Sequence, residues 1–187
     1  MPSTTLVHPD DRTEHDEPPR PAIAEWLLAM GPVVHRLDYG GRVAAVGCAD
    51  ARAVALLAAA YPLASLDAVG ADAGVVRSTD DALRRAGARA RCEVEVGGTE
   101  ALAPGTYDLV CFLHGLAELA DPVGAARAAL RAVRPTGALM VVEHTRSDAF
   151  FDGPVTVGGW LLRAGAARTR LAASTPHGFV LDARPTH

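Results

Sequence analysis

The stretch Arg42 to Arg52, reading RVAAVGCADAR, restricts the fold more than any other part of the chain. Val43, Ala44, Ala45 and Val46 form a short uncharged run that stops at Gly47, and Ala51 to Tyr61 continues as a helix of small apolar residues. A strand, a tight turn and a helix in that order predict an open parallel sheet. In such a sheet the first turn is where backbone N–H groups and the positive end of a helix dipole face a ligand. The usual turn reads G-x-G-x-x-G or G-x-G-x-G. Here only Gly47 remains, with Ala49 and Ala51 at the later glycine positions, and each added methyl narrows the approach of a nucleotide.

The rest of the chain keeps the same rhythm. Leu63 to Gly70 reads as a second strand ending near Ala71-Asp72. A helix over Val75 to Ala86 follows, with Val75, Val76, Ala82, Leu83 and Ala86 as its stripe and Gly87 as C′ residue. Cys92 to Val96 alternates as a strand with one polar face, and Tyr107 to Leu113 is a nearly continuous apolar run, as a central strand buried on both faces requires. Pro122 to Val133 is a helix capped by Asp121; Pro135-Thr136-Gly137 then turns the chain into a strand over Ala138 to Glu143. After a short helix near Val157 to Ala164, the runs Arg168 to Ala172 and Phe179 to Ala183 are joined only by STPHG, so they must pair antiparallel. The expected class is α/β: a Rossmann-like doubly wound sheet of seven strands with the last one antiparallel.

Two segments precede the first strand. Met1 to Pro21 is rich in proline and carries Asp10, Asp11, Glu14, Asp16 and Glu17 against Arg12 and Arg20, a composition expected to stay disordered or to dock on a partner. Ala22 to Leu37 carries Ile23, Trp26, Leu27 and Met30 on one helical face, broken into two pieces at Gly31-Pro32, and is expected to cover one side of the sheet. His35 on the second piece reads as a structural or surface histidine. Residues 22–187 are expected to form one domain.

The composition excludes several classes. With a net charge of -4 and no apolar run near the roughly 20 residues of a membrane span, neither nucleic acid nor a membrane is an expected partner. All 18 basic residues are arginine, Asn and Gln are absent and Ile occurs once, a bias expected of a GC-rich genome. Cys48, Cys92 and Cys111 lie far apart without C-x-x-C spacing and read as free thiols in a reducing cytoplasm. No basic region followed by an apolar core opens the chain, so secretion is not expected. There is no Ser-His-Asp signature, no P-loop and no clustered Cys/His spacing, and no metal is expected.

Specific segments carry a family resemblance. Ala45-Val46-Gly47-Cys48-Ala49-Asp50-Ala51-Arg52 is similar to D-V-G-C-G-x-G-R, and YDLVCFLHGLAELADP from Tyr107 to Pro122 to Y-D-L-V-x-x-x-x-x-L-H-x-x-x-D-P. VRPTGALMVVEH from Val133 to His144 is similar to L-x-P-G-G-x-L-x-x-x-E, and the terminal hairpin completes the pattern. Over about Ala22 to Pro185 the chain resembles the class I methyltransferases that use S-adenosyl-L-methionine. The likeness is strongest to bacterial small-molecule enzymes that also carry an N-terminal winged-helix region and a longer roof segment after the fifth strand. Neither is found in this sequence, so substrate and assembly do not carry over.

The resemblance implies roles residue by residue. Val46 and Gly47 would let the backbone approach the methionine moiety, and Cys48, Ala49 and Asp50 would offer it amide donors. Asp72 would accept both ribose hydroxyls; Asp67 competes by spacing alone but falls inside a strand. Gly98 and Thr99 would keep backbone contacts to adenine where the usual acid is missing, and Leu113 would line the same pocket. Ala45 stands where the family has an acid. At the strand ends, His114 would act as base, with Glu118, Glu143 and His144 on the same rim. The expected function is methyl transfer to an oxygen, nitrogen or carbon of a small molecule. The alternative is a methyltransferase-like protein without catalysis, serving as a partner subunit or ligand-binding scaffold. Homodimers and hetero-partners both remain open. A nicotinamide dehydrogenase would need the absent G-x-G-x-x-G and leaves the terminal hairpin unexplained.

Overall fold

The computed structural model describes residues 30–47, 50–144, 153–176 and 178–186. The expected tail, the piece holding Ile23, Trp26 and Leu27, and Cys48 with Ala49 lie outside them. Seven strands form one sheet: β1 (Arg42–Val46), β2 (Ser65–Gly70), β3 (Cys92–Val96), β4 (Tyr107–Leu113), β5 (Val133–His144), β6 (Ala166–Thr175) and β7 (Gly178–Pro185). Their spatial order is β3-β2-β1-β4-β5-β7-β6. Neighbours from β3 to β5 are parallel, while β7 runs antiparallel to both β5 and β6. The expected doubly wound sheet with a reversed last strand is present.

Alternation along each strand feeds two cores. Toward α1 (Gly31–Asp38), α2 (Ala51–Ala60) and α3 (Ala73–Arg85) point Val43, Ala45, Leu109, Cys111 and Met140, packed under Leu37, Leu57 and Leu83. Toward α4 (Pro122–Ala132) and α5 (Pro154–Arg163) point Ala44, Val46, Val110, Phe112 and Val141, packed under Leu130 and Leu161. β4 is buried along its whole length, as its apolar run requires. Each Leu or Phe taken from water in these layers contributes about 1.5–3 kcal/mol.

Element ends differ from expectation where a cap or a ladder decides them. α3 begins at Ala73 rather than Val75 because Asp72 caps it, and Ala86 is exposed at its end; Gly87 follows with φ +67°, the left-handed C′ geometry. β5 begins at Val133 rather than Ala138, because Val133 pairs with Tyr107 before a register shift. The Pro135-Thr136-Gly137 turn is therefore an irregularity inside the strand. A Cβ on Gly137 would meet the Tyr107 and Asp108 carbonyl oxygens at 2.9 and 2.8 Å, so only glycine fits. The short piece after the Gly31-Pro32 break is α1, on which His35 is exposed, and the hairpin strands are longer than their apolar runs suggested.

Carboxylates tie neighbouring strands together, two of them buried. Asp108 on β4, 1% exposed, is paired with Arg36 at 3.2 Å and Arg134 at 2.8 Å, and it accepts the Arg42 N–H at 3.0 Å. Asp182 on β7 holds Arg170 and Arg184 at 3.1 and 3.2 Å. Asp67 accepts from Arg42 Nη2 at 2.8 Å and from the Tyr107 hydroxyl at 2.7 Å. Burial, then that hydrogen bond, pushes the Tyr107 phenol up to about 12. Asp67 is thus committed to joining β1, β2 and β4.

Candidate cofactor and acceptor site

The carboxyl ends of β1, β2, β4 and β5 converge on one edge of the sheet. Val46 closes β1 between Val69 and Phe112. Gly47 then takes φ +85° and donates its N–H to the Val69 carbonyl at 3.0 Å. A Cβ there would lie 3.3 Å from the His114 carbonyl oxygen, so the turn after β1 presses against the loop after β4. Beyond the turn, Asp50 caps α2 by accepting the Ala53 N–H at 3.0 Å. Ala45 is wholly buried in register with Ala68 and Cys111, in a layer of apolar side chains.

Asp72 stands at the end of β2 in extended backbone. Its Oδ1 accepts the N–H groups of Gly74 at 2.7 Å and Val75 at 3.0 Å, which hold the carboxyl below the ordinary carboxylate range. Among the described residues Oδ2 accepts no hydrogen bond. One oxygen is therefore fixed by the helix start while the other is available to a donor. Beside it, Gly97 extends the β2–β3 ladder by donating to Gly70 at 3.0 Å.

The sequence offered no acid at Gly97, Gly98 or Thr99. The structure brings one from the next position. Glu100 Oε1 accepts the Gly98 N–H at 3.0 Å, so that backbone donor is occupied; Thr99 is buried. The signal for Glu100 was its place two residues after Gly98 in a single helical turn, Thr99–Ala101.

On the rim, Leu113 ends β4 buried, and His114 donates its N–H to the Val142 carbonyl at 3.0 Å. His114 has φ +70° and Gly115 φ +99°. His114 is the one non-glycine residue with positive φ among those described. A side chain in that region costs about 1–3 kcal/mol and is kept where its surroundings hold it. The His114 ring stacks on that of His144, centroids 3.8 Å apart and planes 3° from parallel. Glu118 does not share a helical face with His114, because 114–120 is a run of turns closed by Glu118 N–H to Gly115 and Leu119 N–H to Leu116, each 3.3 Å. Glu143 is buried beneath the loop and accepts the Ala117 N–H at 3.1 Å, with the N–H groups of Gly115 and Leu116 close by. Burial drives its carboxyl above the usual range, the three N–H groups pull it down, and Glu118 adds to the rise. Among the described residues no three His, Cys, Asp or Glu side chains form a metal set, and no helix is long and apolar enough to cross a membrane.

Comparison with known proteins agrees with this arrangement. A methyltransferase domain family matches residues 44–141. No curated protein matches the chain. Among solved structures, an S-adenosylmethionine-dependent methyltransferase from Aquifex aeolicus superposes with a TM-score of 0.68 at 17% identity, over 89% of this chain and 94% of that one. The [4+2]-cyclase SpnF superposes with a TM-score of 0.67 at 16% identity, over 92% and 86%. The mitomycin 7-O-methyltransferase MmcR does so at 0.61 and 16% identity, over 87% of this chain. The chain spans only 55% of the length of that enzyme and 57% of the methyltransferase SibL. At these identities the structures establish a shared fold, and the family match covers more than half of the residues. The chain therefore belongs to the methyltransferase domain family.

Proposed function

We propose that this chain transfers a methyl group from S-adenosyl-L-methionine to an oxygen, nitrogen or carbon of a small molecule. The observation that supports the reading is the contact between the Gly47 turn and the His114 loop, which brings the first glycine turn beside a stacked histidine pair. The residues present fit the cofactor in two respects: the cradle at Gly47 is one a Cβ would crowd, and Asp72 keeps an oxygen for a ribose hydroxyl. When bound, the cofactor supplies an electrophilic methyl on a sulfonium.

Gly47 and Val46 would face the methionine portion, with amides of Cys48, Ala49 and Asp50 assigned to its carboxylate by resemblance. Asp72 Oδ2 would accept from the ribose, and Thr99 and Leu113 would bound the adenine. Because Glu100 occupies the Gly98 N–H, that backbone contact requires the Glu100 side chain to move. In-line displacement needs alignment and exclusion of water, and a base only where the acceptor arrives protonated. His114 and His144 would supply that base.

A second reading, a scaffold without methyl transfer, draws on Ala45 lying in the apolar layer where an acid is usual, and on the occupied Gly98 N–H. The same fold in a protein described as a [4+2]-cyclase shows that methyl transfer is not its only use. Calorimetric titration with S-adenosylhomocysteine separates the two. Micromolar binding supports the transferase; no heat and no thermal shift at millimolar ligand support the scaffold. A cytoplasmic protein acting on a small molecule, alone or as a homodimer or hetero-partner, is the setting this reading implies.

A further inference from the structure

We propose that Glu143 is a positioning residue: its buried carboxylate shapes the His114–Ala117 loop and so sets the two stacked histidines against the acceptor. The role of the histidines rests on the reading above; the role of Glu143 in shaping them is tested independently below.

Glu143 is the penultimate residue of β5 and is 4% exposed. Its carboxylate accepts the Ala117 N–H at 3.1 Å, and the N–H groups of Gly115 and Leu116 lie near enough to lower its pKa. Such a run of backbone donors around one anion is a nest, and the left-handed His114 and Gly115 at its start bring the chain round the carboxylate. The next residue along β5 is His144, whose ring lies against His114. The side chain thus acts on His114 through the loop, and on the His144 ring only through its stack with His114. Among the described residues the charged group facing it is Glu118 from the loop; its β7 neighbours, Phe179 and Gly178, bring no charge.

An acid is a poor choice here for the fold alone. Burial raises the folded-state pKa above the unfolded one, so the folded chain holds the proton more tightly. Stability is then greatest below the unfolded pKa and falls as pH rises through the folded value. At neutral pH the ionised carboxylate works against folding while it organises the rim. Exchange of stability for a shaped site is a recurrent pattern.

The test uses Glu143→Gln and Glu143→Asp in the full chain. Urea unfolding is measured from pH 5 to 8, with the ring C–H signals of His114 and His144 by NMR and titration with S-adenosylhomocysteine. Expected is a Glu143→Gln variant at least as resistant to urea as the parent at pH 7, with the parent's fall in stability toward higher pH flattened. Its two histidine ring signals should lose their stacking shifts, and Glu143→Asp should recover part of them. Unchanged ring signals overturn the proposal, as does a Glu143→Gln variant that unfolds, because the carboxylate is then structural. A parent that binds no S-adenosylhomocysteine refutes the transferase reading, while the ring signals and the pH slope still decide Glu143.

Discussion

Replacing Gly47 with alanine should measure how tightly the first turn abuts the rim. At φ +85° a β-carbon costs about 1–2 kcal/mol. Its 3.3 Å approach to the His114 carbonyl oxygen forces the turn and the loop apart by a few tenths of an ångström, adding about 1 kcal/mol. Reduced freedom of the unfolded chain returns about 0.4–1 kcal/mol. The net is a loss of about 2 kcal/mol, or about 4–8 °C in Tm for a chain of 187 residues. Gly87→Ala is the control, because it has φ +67° with no neighbouring atom within 4 Å of its built Cβ, and about 1 kcal/mol is expected. Urea denaturation followed by circular dichroism gives both values, and their difference isolates the contact with His114. Equal losses at the two positions would show that the turn does not press on the rim. Gly47→Asp extends the test to binding: the fold should survive and S-adenosylhomocysteine should no longer bind, and persistent binding would move the pocket elsewhere.

Asp72→Asn should weaken S-adenosylhomocysteine binding roughly tenfold, about 1.4 kcal/mol, in a calorimetric titration at pH 7. Because the Asp72 carboxyl is held low, its contribution to stability is present above the unfolded pKa and lost as pH falls through the folded value; the asparagine variant should show a shallower acid limb between pH 2 and 5. Asp108→Ala should cost about 2–4 kcal/mol by urea unfolding, less than a fully enclosed pair because Arg36 and Arg134 are partly in water. Ligand affinity should be unaffected, since Asp108 lies at the opposite end of its strand from the site. His114→Gly relieves the left-handed strain and should leave stability unchanged or raised by up to about 1 kcal/mol, while methyl transfer to any acceptor identified for the parent is lost.

How far the sequence could be read depends on the kind of information each feature needs. The bounds of β3 and β4 follow from local pattern, alternation in CEVEV and an unbroken run in YDLVCFL, and both strands match those bounds. The starts of α3 and β5 do not, because the first is set by the Asp72 cap and the second by pairing of Val133 with Tyr107, a partner 26 positions away. At the site, strand ends were legible from the turns that follow them, which placed Gly47, Asp72, His114 and His144 on one edge. The stacking of two rings was not, since it depends on the register of β4 against β5 and on a positive φ at a histidine. After His114 and Gly115, both at positive φ, the chain continues in turns rather than a helix, and Glu100 was missed because a side chain folded back two residues leaves no periodic trace.

The strand order carries a consequence for biosynthesis. β1 is central, yet its neighbour β4 ends at Leu113, far along the chain from Val46. While a ribosome makes the chain at about 5–20 residues per second, β1 has β2 on one side and an open hydrogen-bonding edge on the other for several seconds. An apolar edge of that kind is a template for wrong partners. Nascent chains stalled before Tyr107 should therefore recruit holding chaperones, and those released after Leu113 should shed them.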